Sequence, residues 1–174
     1  MHFLEHKYFY FIVLFITILY PLLQSFEKRL KYYTKWKYVM VSVIAMMLIF
    51  IPWDVWFTIQ SVWAFNKAYT VGFSILSLPI EEWLFFIIVP FSCVFIHEVL
   101  NFYFNTELNE KPYRIMFAVL AFLLAILSVV YADRLYTLVC FSLCSAALFV
   151  VVVYAPSWFG RFFRTYLVSL IPFL

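Results

Sequence analysis

Two adjacent carboxylates, Glu81 and Glu82, stand in the run Leu78-Pro79-Ile80-Glu81-Glu82-Trp83, at the head of a long apolar and aromatic segment with almost no other charge. Ionised groups are costly in such surroundings, so residues placed there usually have a task. Of two close carboxyls in an apolar setting, one tends to keep its proton while the other stays charged. Such a pair supplies a general acid and a general base at neutral pH. A structural role is also open, because acidic residues near a helix N-terminus are favoured by the helix dipole. Ser77 would then be the N-cap, with Pro79 tolerated in the first turn. His97 and Glu98 lie about 16 residues further along the same segment, roughly 24 Å at 1.5 Å per residue. They cannot share a site with the Glu pair and form, on this pattern, a pair at the opposite interface.

A second unusual stretch precedes the carboxylates. It reads Pro52-Trp53-Asp54-Val55-Trp56-Phe57-Thr58-Ile59-Gln60-Ser61-Val62-Trp63-Ala64-Phe65-Asn66 and sets Asp54 and Asn66 among three Trp and two Phe. An interfacial aromatic belt with a solvated Asp accounts for it. An aromatic-walled pocket with a few polar groups, suited to a large apolar ligand, accounts for it equally.

The elements that must hold these residues are membrane helices. The 174 residues are 67% hydrophobic and 12% charged, with a mean hydropathy of +1.00, which describes a surface that faces lipid. The expected fold is all-α, a polytopic transmembrane bundle with no separate soluble domain. Apolar segments run from about Tyr8 to Leu23, Tyr38 to Phe57, Leu78 to Phe104, Ile115 to Tyr131 and Leu135 to Tyr154, each near the ~20 residues a crossing needs. A sixth begins near Tyr166 and is too short by Leu174 to span, which suggests a truncated chain. Lys28, Arg29, Lys31, Lys35 and Lys37 in the first loop, Lys111 and Arg114 in the third, and Arg161 and Arg164 in the fifth make nine of the twelve Lys and Arg. The excess places those loops in the cytoplasm and the N-terminus outside. The first segment lacks the basic flank and cleavage site of a signal peptide.

Several chemistries are disfavoured. No GxGxxG or P-loop is present, and two Gly cannot build a phosphate cradle, so no dinucleotide or ATP cofactor is expected. Aspartate-rich magnesium motifs are missing, as are GxSxG and any Cys/His spacing suited to zinc. Cys93, Cys140 and Cys144 lie inside spans as small apolar residues. The net charge of +3 is gathered beside membrane segments, which points to lipid headgroups rather than nucleic acid. Ile51-Pro52-Trp53 and Ile171-Pro172-Phe173 each follow a basic loop and an apolar segment. The chain therefore reads as two helical repeats of the same orientation: residues 1–104, a linker helix over 105–134, and an incomplete copy over 135–174.

The order Ile51-Pro52-Trp53-Asp54, Phe57-Thr58, Val62-Trp63-Ala64-Phe65-Asn66 and Leu78-Pro79-Ile80-Glu81-Glu82-Trp83-Leu84-Phe85-Phe86 resembles the membrane-integral lycopene cyclase domain. That family occurs as paired subunits or one fused chain in bacteria and archaea, and fused to phytoene synthase in fungi. The resemblance implies a bacterial cell membrane and two repeats, each with a Pro-x-Glu-Glu or Pro-x-Glu-Asp element. Only the first such element is present, so it also implies a cyclase fragment or subunit completed by a second repeat.

The implied reaction is a redox-neutral isomerisation in carotenoid biosynthesis. Protonation of a terminal double bond of lycopene gives a tertiary cation, the neighbouring alkene closes a six-membered ring, and loss of a proton leaves a β-ring. The resemblance makes Glu81 and Glu82 the acid and base, in either order, with Asp54 and Asn66 orienting them by hydrogen bonds. Trp53, Trp56, Phe57, Trp63, Phe65 and Trp83 would wall the pocket and stabilise cations through their π faces. Two other readings stay open: a proton- or cation-coupled transporter subunit, which places Glu81 and Glu82 against water, and a membrane scaffold with no site.

Overall fold

The computed structural model describes residues 6–104, 110–154 and 158–170. The apolar segments form helices: α1 (Phe9–Gln24), α2 (Trp36–Ile59), α3 (Ile80–Tyr103), α4 (Glu110–Val130), α5 (Leu135–Tyr154) and α6 (Phe159–Leu170). Among the described residues, four stretches are long and apolar enough to cross a membrane: Tyr32–Ile59, Ile80–Tyr103, Pro112–Val130 and Leu135–Tyr154. The chain is an all-α membrane protein. α1 is apolar but has 16 residues, about 24 Å of helix, and is not one of the four.

The chain divides into two units, Met1–Tyr103 and Phe104–Leu174. In the first, α3 packs against both α1 and α2. Pairings of Tyr10 with Glu82, Thr17 with Ser92 and Tyr20 with Phe95 show that α1 runs parallel to α3. Trp36 at the start of α2 packs on Phe91, and Asp54 near its finish shares a cavity with Glu82, so α2 runs antiparallel to α3. The starts of α1 and α3 and the finish of α2 therefore meet at one end.

The opposite end is held by Tyr32, Val39, Val43, Phe91 and Phe95. The Tyr32 ring lies edge-on to Phe91 and Phe95 at 5.2 and 5.4 Å. Its hydroxyl donates to the Phe91 carbonyl at 3.0 Å. Tyr32→Phe keeps the ring and loses that bond, which should cost about 1 kcal/mol, measurable as a shift in the unfolding midpoint of detergent-solubilised protein. Lys35 pairs with Glu98 there, and His97 bonds Asn101 at 2.8 Å, both remote from the Glu pair as expected.

In the second unit α4 packs along α5 and touches α6. Phe117, Phe159 and Phe163 form its buried cluster. Phe159 and Phe163 fall four residues apart on one helix face, while Arg161 between them is exposed, so the expected fifth basic loop is partly helix. α6 starts at Phe159 rather than near Tyr166, because an amphipathic face needs no apolar run. Ile171-Pro172-Phe173, on which the repeat pattern partly rests, lies outside the described residues.

Between α2 and α3 the chain departs from simple loop. α2 continues through Pro52 to Ile59, so the first part of the expected outward loop is helical. It ends in a Schellman motif: Ser61 N–H donates to the Thr58 carbonyl and Val62 N–H to the Phe57 carbonyl, with Ser61 at φ 55. Downstream, strands β1 (Ser74–Ile75) and β2 (Leu78–Pro79) pair antiparallel around Leu76 and Ser77, both at positive φ, the arrangement of a two-residue I′ turn. Ser77 is therefore a hairpin residue and not the N-cap of α3. The hairpin's second strand runs straight into Ile80, and Ile80 N–H closes it onto the Phe73 carbonyl.

Candidate active site

Helical spacing decides which carboxylate faces which way. Glu81 and Glu82 are consecutive, about 100° apart around α3, so they address different neighbours. Glu82 lines a cavity of about 290 Å³ with Phe50, Trp53, Asp54, Trp63, Ala64, Phe65 and Phe86. Glu81 is fully buried. Its Oε1 accepts the Val71 N–H at 2.6 Å, and its Oε2 has no hydrogen-bond partner among the described residues.

Glu81 thus ties the loop that precedes the hairpin to the start of α3. Gly72, next to the tied amide, has φ +90, a conformation that strains any L side chain. Replacing Glu81 by Ala removes the acceptor and leaves a backbone N–H unpaired, a loss of about 2 kcal/mol. The Val71 amide should then exchange with deuterium faster than in Glu81→Gln, which keeps an acceptor oxygen. Equal exchange in the two variants would show that the carboxyl does not anchor the loop.

Glu82 Oε1 accepts the hydroxyl of Tyr10 at 2.8 Å. Asp54 is 6% exposed and lines the same cavity as Glu82. One turn beyond it, the Thr58 hydroxyl donates to the Asp54 carbonyl at 2.8 Å and accepts the Trp63 indole N–H at 3.1 Å. The same indole N–H also acts on the Asp54 carboxyl. The Schellman turn after α2 is what folds Trp63 back over this helix end.

The aromatic residues separate into wall and support. Trp53, Trp63 and Phe65 line the cavity. Phe57 is fully buried behind them, 5.2 Å from Trp53 and 5.1 Å from Trp63. Trp56 is 44% exposed and meets the group through Phe57. Trp83 is outside the lining and donates its indole N–H to the Ile75 carbonyl at 3.3 Å, holding the hairpin to α3.

Asn66 is not brought to the carboxylates. Its Oδ1 accepts the Ala68 N–H at 2.9 Å, an Asx turn that shapes its own exposed loop. Tyr10 and Thr58 are the polar partners that sequence reasoning missed. Thr58 was visible one turn after Asp54; Tyr10 is one of 13 Tyr, and only its place at the start of the first segment, on the side of the Glu pair, could have pointed to it.

The site joins an ionisable carboxyl, a second buried carboxyl and an aromatic wall in one small cavity. It can present a proton to an apolar substrate held against mainly aromatic walls. Neither curated proteins nor solved structures give a match to the chain. The family model described as lycopene cyclase matches residues 7–100, which hold this whole arrangement, and again residues 133–174. A match over most of the chain, with the carboxylate pair and its aromatic walls inside it, makes this protein a member of the lycopene cyclase family.

Proposed function

We propose that the protein cyclises the end groups of lycopene, or serves as one part of the unit that does so. The observation that carries the reading is Glu82 opening on a cavity walled by Trp53, Trp63, Phe65 and Phe86 with Asp54 beside it. Glu82 is the acid in this scheme. Its proton adds to the terminal carbon–carbon double bond at the less substituted carbon, and the tertiary cation left behind is attacked by the next alkene. One carbon–carbon bond forms, the charge moves to a ring carbon, and loss of the adjacent hydrogen as a proton restores a double bond. Asp54, buried and lining the same cavity, collects that proton, and its return to Glu82 resets the site for the next ring. The indole faces of Trp53 and Trp63 stabilise the cations. Charge and atoms balance without oxidant, reductant or cofactor, which makes the reaction an isomerisation by intramolecular bond exchange.

Burial supports a division of labour within the Glu pair. Glu81 acts as the loop anchor, and Glu82 as the acid. A tandem arrangement, with residues 1–104 as one repeat, 105–134 as linker and 135–174 as part of a second, is supported by the family match falling in two stretches on either side of α4. A second repeat or subunit would then complete the unit. Lycopene-accumulating cells expressing the chain alone, and with a second family repeat supplied, test the reading by chromatography of extracted pigment. β-ring products support it. Unchanged lycopene in both cultures, with the protein inserted in membranes, rejects it.

A further inference from the structure

The bond between Tyr10 and Glu82 joins residues 72 positions apart, one on α1 and one on α3, at the end where both helices start. Tyr10 is not itself among the residues that line the cavity and meets the site through Glu82. The α1 segment is otherwise apolar from Phe9 to Ile16, so Tyr10 places a hydroxyl where a Phe would satisfy the packing alone. The carboxyl it meets lines the same cavity as Asp54 of α2. A phenol in that position can donate to only one oxygen, and it donates to Glu82 Oε1.

From this geometry we infer that Tyr10 is a positioning residue for proton transfer, which holds Oε1 as the acceptor and leaves Oε2 of Glu82 to carry the proton into the cavity. The inference rests on the cyclase reading and deepens it. When Glu82 gives its proton to the alkene, negative charge develops on the carboxyl, and the O–H of Tyr10 is already aimed at it. A hydrogen bond to a charged acceptor is stronger than one to a neutral acceptor. The bond therefore stabilises the product of proton transfer more than the resting acid, which is the differential that accelerates a step.

Tyr10→Phe removes one oxygen and keeps the ring. The expected result is a roughly ten- to hundredfold lower rate of ring formation, with half-saturating lycopene unchanged, in membranes that carry normal amounts of protein. A second measurement is independent of turnover. In the infrared difference between wild type and Glu82→Gln, the carbonyl stretch of the protonated Glu82 carboxyl should be visible, and in Tyr10→Phe it should move to higher frequency as the donor to Oε1 is lost. A wild-type rate in Tyr10→Phe, an unmoved band, or no carboxyl band that Glu82→Gln removes would each overturn the role of Tyr10. If Glu82→Gln abolishes ring formation in those same membranes, the cyclase reading survives that failure. If Glu82→Gln cyclises like wild type, the reading of the site falls and the role of Tyr10 with it.

Discussion

Glu82→Gln should lower cyclic carotenoid formation by about 10²- to 10⁴-fold, the usual contribution of a positioned general acid, while the protein still inserts and accumulates. The substitution is nearly isosteric and keeps an oxygen to accept the Tyr10 hydroxyl, so packing around the cavity is conserved and only the transferable proton is lost. Glu81→Gln provides the contrast. Its oxygen can still accept the Val71 N–H, and Glu81 is not among the cavity-lining residues, so most of the product should remain. Pigment chromatography of lycopene-accumulating cells expressing each variant reads both effects, with immunodetection of the membrane fraction as the control. Loss of product in Glu81→Gln with retention in Glu82→Gln would invert the assignment. Retention in both would remove the carboxylates from the mechanism.

The transporter alternative makes a different demand on the same residues, since a proton or cation site must meet water. Glu81 is fully buried and Glu82 opens on a cavity whose walls are mainly aromatic. That arrangement suits an apolar substrate better than a hydrated ion.

Much of this was legible because charge is scarce in the chain. Glu81, Glu82 and Asp54 stand out in apolar sequence, and period and length mark the helices that carry them. What the sequence could not convey is direction. Adjacent residues on a helix diverge by about 100°, and no local pattern shows that Glu82 turns to the cavity while Glu81 turns to the Val71 amide. Ser77 reads as an N-cap by type, but the hairpin takes it into a positive-φ turn, and pairing of Leu78 with Ile75 delays the helix to Ile80. Asn66 fails for a related reason: a short amide side chain bonds its own turn more readily than a distant carboxylate. Tyr10 depends on α1 lying parallel to α3, a tertiary fact with no signature among so many aromatic residues. The aromatic stretch was legible as a pocket or as a belt, and it is divided: Trp63 belongs to the pocket, whereas Trp56 is largely exposed.

The support behind the wall carries the second large effect. Phe57 is fully buried and its ring lies 5.1 to 5.2 Å from those of Trp53, Trp56 and Trp63. Its carbonyl also receives the Val62 N–H that closes α2, so ring and backbone fix the same corner. Phe57→Ala should destabilise the protein by about 3 kcal/mol, at the low end for a buried Phe, because lipid offers the exposed aromatic surface a better refuge than water does and the loss is mainly of packing. Trp63 would lose its backing and the cavity its shape, so cyclisation should fall together with stability. Phe57→Leu fills most of the volume and should recover most of both, whereas Trp56→Ala, at a largely exposed position, should cost less than Phe57→Ala. Unfolding of the detergent-solubilised variants, read beside pigment yield, distinguishes the cases. A Phe57→Ala protein within 1 kcal/mol of wild type would mean that Trp53 and Trp63 hold their places without it, and that the cavity is set by the Schellman turn and the Thr58 to Trp63 bond alone.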